Sequence, residues 1–226
     1  MSSAPATGAL RRDAAANRRR LVDAAERVFA ERGPEASMEE IARAAEVSPA
    51  TLYRRFPTKD ALVGEVLATF FGHLVELAGQ ALTEPPQRCL DVYFETVGYQ
   101  LAAKRGFLHG MWGELAPTQL VAELEARTGQ LLDRAQRGGG VQPSVTLADI
   151  AATIWALRGI IHTAGDTASD AWRRHLAYVL AGLRGPAPTV PPAPVTPPVP
   201  KQSGGTRDSS TTPPTLHASE EDNHCG

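Results

Sequence analysis

The sequence predicts an all-α protein: an N-terminal three-helix, homeodomain-like helix-turn-helix domain followed by a larger C-terminal helical domain. Three observations predict this class. Apolar residues recur at three- and four-residue spacing from Leu21 to Leu180, with no convincing two-residue alternation. Helix starts and stops are marked by Ser, Thr and Pro on one side and Gly or Pro on the other. Residues 37–59, SMEEIARAAEVSPATLYRRFPTK, hold two short helices separated by only a few residues. The divisions expected are an arm at 1–16, a first domain at 17–64, a second at 65–184 and a tail at 185–226.

Size and composition are consistent with a folded helical chain. At 226 residues it is long enough to bury a core, and 42% hydrophobic content is ordinary for a globular protein. The formal net charge of −2 argues against a histone-like polyanion binder. A slight basic excess falls in the first sixty residues and a slight acidic excess over 61–184, so any nucleic-acid contact depends on local geometry. Cys89 and Cys225 are the only cysteines and imply no disulfide framework. No signal-like apolar segment opens the chain, and no uninterrupted apolar run reaches bilayer-spanning length. The cytoplasm is the expected compartment.

Residues 1–16 are small and polar and are expected to be mobile. Arg11, Arg12, Arg18, Arg19 and Arg20 could form a basic arm reaching DNA phosphate or a minor groove. The plainer alternative is a solvated tail and first helical turn, although three successive arginines there oppose the helix dipole. A helix follows over about 17–32, with Leu21, Ala24, Ala25, Val28 and Phe29 inward, ended by Gly33 and Pro34.

In the 37–59 segment, Ser37 with Glu40 forms a capping box. Met38, Ile41, Ala42 and Ala45 make one apolar face. Glu46 and Val47 fill the turn. Ser48 suits an N-cap and Pro49 a first helical position, while Pro57 stops the second helix near Phe56. Leu52 and Phe56 point inward, leaving Thr51, Tyr53, Arg54 and Arg55 on the other faces, with Lys59 just beyond. In such a unit the second helix enters the DNA major groove. Arginine can bond guanine bidentately, whereas hydroxyls and lysine mostly hold phosphates. An isolated Arg-Arg pair would read better as a solvated face; here capping, turn and stop signals coincide with it.

VSPATLYRRFPTKDALV, residues 47–63, resembles the signature of the TetR family of bacterial transcriptional repressors, and the likeness extends over roughly 18–65. The resemblance implies that Thr51 and Tyr53 contact the DNA backbone. It also implies that Pro49, Ala50, Arg54 and Arg55 lie near bases or phosphates and that Lys59 anchors a phosphate. The family commonly has histidine where this chain has Arg55. With the capping Ser37 and Ser48, these residues make up the candidate DNA face. Beyond about residue 70 the resemblance concerns architecture only, implying a module for ligand binding and dimerisation.

Thr58 caps the next expected helix, over about 59–82, with Leu62, Val66, Phe70, Leu74 and Leu77 inward. Its length should carry it from the first domain into the second and couple the two. Pro85 and Pro86 open a helix to about 104, with Leu90, Tyr93, Phe94, Val97 and Leu101 inward, ended by Gly106. FLHGMWGEL follows as irregular turns. A helix over about 117–137 leads to a flexible Gly138–Gly139–Gly140 loop, and two more helices span about 147–163 and 169–182. The tail begins with PAPTVPPAPVTPPVP, where extended polyproline geometry is expected, and continues in polar sequence too poor for a core. A proline-ligand role for it is possible; a dispensable extension is the simpler reading.

Candidates for an effector pocket are Phe70, His73, Tyr93, Val97, His109, Met111, Trp112, Trp155 and His162. Each has a plain alternative as core or as a satisfied polar group. HGMW stands out because glycines flank aromatic and polar groups where the helix is irregular. For dimerisation, the last two helices carry small residues on one, Ala151, Ala152, Ala156 and Gly159, and bulky ones on the other, Trp172, Leu176, Val179, Leu180 and Leu183, with a core-only role as the plain alternative. In the family such helices from two chains make a four-helix interface, and a two-fold dimer matches a palindromic operator. No nucleophile elbow, phosphate loop or zinc helix is present. His217, His224 and Cys225 match no standard metal site, so neither enzyme activity, metal nor cofactor is expected. The expected function is therefore a repressor acting as a homodimer on a double-stranded DNA operator and released by a small-molecule effector. The alternatives are an activator or ligand-independent regulator of the same fold and, more remotely, a helical enzyme or carrier with a retained DNA-binding-like domain.

Overall fold

A computed structural model describes residues 6–33, 35–105, 115–165 and 170–186, with side chains from residue 15 onward. Its described residues form helices and turns without strands: α1 (Ala6–Arg32), α2 (Met38–Ala44), α3 (Pro49–Arg55), α4 (Lys59–Ala81), α5 (Cys89–Ala103), α6 (Thr118–Arg137), α7 (Leu147–Ala164) and α8 (Ala171–Arg184).

α1 begins well before the expected position. Residues 6–16, expected to form a mobile arm, are helical. Alanine has the highest helix propensity, and the alanines of this segment extend the helix ahead of its apolar face. Leu21, Ala24, Ala25 and Phe29 of α1 pack with Met38, Ile41 and Ala42 of α2, Leu52 of α3, and Leu62 and Val66 at the start of α4.

α4 runs without interruption from this cluster into the C-terminal helices, packing on α1, α5 and α6. Its N-cap Thr58 accepts from the Ala61 amide, and eleven of its residues are buried. By length and mean hydropathy, 1.5 over its most apolar window, α4 could cross a bilayer. A search for an uninterrupted apolar run misses this because Glu65 and Glu76 break the run. Its apolar residues pack in the core.

α5 starts at Cys89, later than the two prolines indicate. Pro85 and Pro86 belong to a separate turn, in which the Arg88 and Cys89 amides donate to the Pro85 carbonyl at 2.8 and 3.0 Å. That turn packs on Gly138 and Gly140, which are therefore held rather than loose, while Gly139 between them faces open space. A Cβ on Gly138 would lie 2.2 Å from Pro86 Cβ, and Gln87 Nε2 donates to the Gly138 carbonyl at 3.0 Å. Gly98 plays the same part between α5 and α8: a Cβ there would meet the Trp172 indole at 2.2 Å. Trp172, Leu176 and Leu180, expected at a dimer face, are core residues of this chain. α7 starts with a second capping box, Thr146 with Asp149.

Candidate nucleic-acid interface

The α2–turn–α3 unit is fixed at every joint by a local hydrogen bond. Ser37 Oγ accepts from the Glu40 amide while the Glu40 carboxylate accepts from the Ser37 amide at 2.9 Å, which also holds the Glu40 carboxyl below its ordinary pKa. At the other end of α2, the Val47 amide donates to Ala42 O at 3.0 Å and the Glu46 amide to Arg43 O at 3.1 Å. This is a Schellman motif, and its αL position is held by Glu46 at φ 57°, where glycine is usual. α3 then begins on Ser48, whose Oγ accepts from the Thr51 amide, with Pro49 in its first turn.

This framework sets out the α3 side chains. Leu52 and Phe56 are buried, whereas Ser48, Pro49, Ala50, Tyr53, Arg54 and Arg55 are exposed and Thr51 is half-buried. Lys59 follows in the first turn of α4. The predicted DNA-face residues on α3 are therefore all at least partly open to solvent. Ser37 lies at the start of α2, half-buried and engaged in its capping box.

Four contacts on or beside this face were not visible in the sequence. The Tyr53 hydroxyl donates to Glu39 Oε1 at 3.2 Å. Arg18 forms a two-point ion pair with Glu65, and its guanidinium lies 5.3 Å from the Phe56 ring centre. The Arg18 hydrogen bond is the chief reason the Glu65 carboxyl falls below its ordinary pKa, and Arg55 adds a smaller electrostatic contribution. Arg18, a candidate for the basic arm, is thus an internal brace between α1 and α4. Finally, Asn17 and Leu21 of α1 line a cleft of about 160 Å³ with Thr51, Arg54 and Arg55. Such contacts join residues far apart in the chain, and no local pattern announces them.

Six of the expected pocket residues are described, and they differ in burial. Phe70, Tyr93 and Val97 are fully buried in the core. His73 is partly exposed and pairs with Glu76 on its own helix at 3.6 Å. Trp155 is half-buried and His162 is exposed on α7. His109, Met111 and Trp112 lie outside the described residues. Of the buried three, Tyr93 carries the polar atom: its hydroxyl has no well-formed hydrogen bond among the described residues, and burial pushes its pKa up to about 12. The nearby Thr128 hydroxyl donates back to the Leu124 carbonyl.

A capped helix-turn-helix with a polar, cationic second helix, joined by a long helix to an all-α body, defines a helix-turn-helix transcriptional regulator. Residues 21–66 match the bacterial regulatory proteins of the tetR family, and residues 85–185 match the C-terminal domain of SbtR-like transcriptional regulators. The chain belongs to the TetR family. A TetR transcription regulatory protein from Mycobacterium vanbaalenii is 34% identical, with 78% of this chain and 99% of that one covered at a TM-score of 0.59. A TetR regulator from Streptomyces coelicolor is 30% identical, covering 75% and 99% of the two chains at a TM-score of 0.58. The HTH-type transcriptional repressor DhaR of Mycobacterium sp. (strain GP1) is 33% identical over 112 residues. That match covers 48% of this chain and 57% of DhaR's length. Homologues and family are transcriptional regulators, not enzymes.

Proposed function

We propose that the protein is a cytoplasmic repressor that binds a palindromic operator as a homodimer and leaves it when a small molecule binds the C-terminal helices. The observation that carries this reading is the exposed face of α3, with Thr51, Tyr53, Arg54 and Arg55 set out on a helix whose start and preceding turn are fixed. The resemblance to DhaR, a repressor, favours repression over activation. In this reading residues 17–64 read DNA, residues 65–184 bind effector and partner, and residues 185–226 are dispensable.

Dimerisation is assigned to the outer sides of α7 and α8. Ala152, Ala156 and Gly159 are exposed on α7, as are Ala177, Tyr178, Ala181 and Gly182 on α8, a largely small-residue surface that lets helices of a second copy approach closely. The effector is assigned to the region of Tyr93, whose unsatisfied hydroxyl offers a hydrogen bond within an apolar core. By favouring a conformation with different spacing between the two α3 helices, the effector lowers operator affinity by its differential binding energy.

The test is a gel-shift titration against DNA flanking the protein's own gene, with non-specific competitor present. A discrete, competitor-resistant shift is expected, and Thr51→Ala or Tyr53→Phe should weaken it while leaving the fold intact. Unchanged affinity in both variants would remove their assigned role.

A further inference from the structure

We propose that the cleft between α1 and α3 is a seat for one phosphate of the DNA backbone, with Asn17 and Arg20 as DNA-binding residues beside Arg54. The proposal rests on the reading of α3 as the recognition helix and adds a contribution from α1.

The cleft is lined by Asn17, Leu21, Thr51, Arg54 and Arg55, and no carboxylate is among these residues. Its volume of about 160 Å³ is several times the ~30 Å³ share of one water molecule, enough for a phosphodiester group. Its side chains are rich in donors. Arg54 and Arg55 can only donate. Asn17 Oδ1 already accepts from Arg20 Nη2 at 3.0 Å, so the amide Nδ2 protons are what Asn17 has left to offer. The Ser48 and Thr51 hydroxyls lie 2.8 Å apart and share two hydrogens, only one of which their mutual bond uses. Glu65, the nearby acid, is held by Arg18 in a two-point ion pair. Glu65 also acts electrostatically on Arg55, so the donors this reading uses are Asn17, Arg20 and Arg54, and donors at a hollow with no carboxylate in its lining select an anion.

Placement selects which anion. Residues 51, 54 and 55 share one side of α3, and residues 17, 20 and 21 share one side of α1. A helix lying in the major groove has a phosphate ridge along each flank, so this side of α3 meets one ridge while Pro49, Ala50 and Tyr53 occupy other positions around the helix. α1 then closes the far side of the seat. Such a contact fixes register on the duplex and carries no base information.

Because the contact is sequence-independent, it can be read on generic duplex DNA as well as on an operator. Fluorescence anisotropy titrations over a range of salt would compare the full-length wild type with Arg20→Ala, Asn17→Ala and Asn17→Asp. Arg137→Ala, at the end of α6, serves as a control for net charge, and thermal melts check the fold. Arg20→Ala should weaken binding several-fold on every sequence and reduce the log–log salt slope by about 1. Asn17→Asp, which replaces donors by a carboxylate, should weaken binding more than Asn17→Ala. If the wild type binds but these variants behave like Arg137→Ala, the cleft is not a phosphate seat. Loss confined to one preferred sequence would likewise overturn it, in favour of base contacts. A wild type with no salt-dependent binding to duplex DNA would instead overturn the DNA-binding reading itself, and this inference with it.

Discussion

The DNA contact proposed for Tyr53 would start from an existing hydrogen bond, because its hydroxyl donates to Glu39 across the gap between α3 and α2. A carboxylate there occupies the place a phosphate oxygen would take, so binding must exchange one acceptor for the other and bring Glu39 close to a negative backbone. Glu39→Gln removes the repulsion and leaves a weaker neutral acceptor. The expected outcome is several-fold tighter DNA binding, with the greater gain at low salt where charge repulsion is least screened. Anisotropy titrations at two salt concentrations decide it, and an affinity equal to wild type at both would show that Tyr53 does not use this side of the helix for DNA. Glu46 lies in the turn that leads into α3. It takes the αL position that glycine fills more readily, at a typical cost on the order of 1 kcal/mol. Glu46→Gly should therefore raise the melting temperature slightly without altering DNA binding; a lower melting temperature would show that the left-handed turn is not under strain.

At the scale of elements, the brace between α1 and α4 makes stability depend on pH in a defined direction. Arg18 holds the Glu65 carboxyl below the ordinary glutamate value of 4.5, so the folded state binds this proton less readily than the unfolded chain. The stabilisation is fully present above the unfolded pKa and is lost as pH falls through the lowered folded value. Urea melts of wild type and Glu65→Gln should therefore differ at neutral pH and converge as the pH falls below the ordinary glutamate value of 4.5. A gap that persists undiminished in acid would mean Glu65 acts through packing rather than charge. The sequence made the elements legible where their signals are local. Ser37 with Glu40, Ser48 with Pro49, and Thr58 each place a helix start, and spacing alone identifies Leu52 and Phe56 as inward. It failed where the deciding partner is distant. Arg18 looked like part of an arm because Glu65 lies 47 residues away. Gly138 looked loose because Pro86 is on another element, and Trp172 looked available to a partner because Gly98 is on α5.

For the whole molecule, the proposed ligand release requires a route from the C-terminal helices to α3. α4 is one route, since it begins beside α3 and ends among α5 and α6. A second joins α5 directly to α1: Lys104 Nζ, in the C-cap residue of α5, donates to both Glu26 carboxylate oxygens at 2.7 and 2.9 Å. The pair is largely shielded, with side chains 23% and 17% exposed, and the Lys104 ammonium lies 5.9 Å from the Phe70 ring centre on α4. One lysine thus touches three helices, two of which support the helix-turn-helix. Removing either charge strands the other in a poorly hydrated place, whereas removing both does not. A double-mutant cycle of Glu26→Gln and Lys104→Met, followed by chemical unfolding, should give a coupling energy in the range of about 0.5–3 kcal/mol. Under the proposed release by a small molecule, DNA affinity of the same variants without effector should stay near wild type while the loss of affinity on adding effector shrinks, because one of the two connections is gone. Additive effects on stability would show that the pair does not act as a unit. A coupled pair that leaves the effector response unchanged would assign transmission to α4 alone.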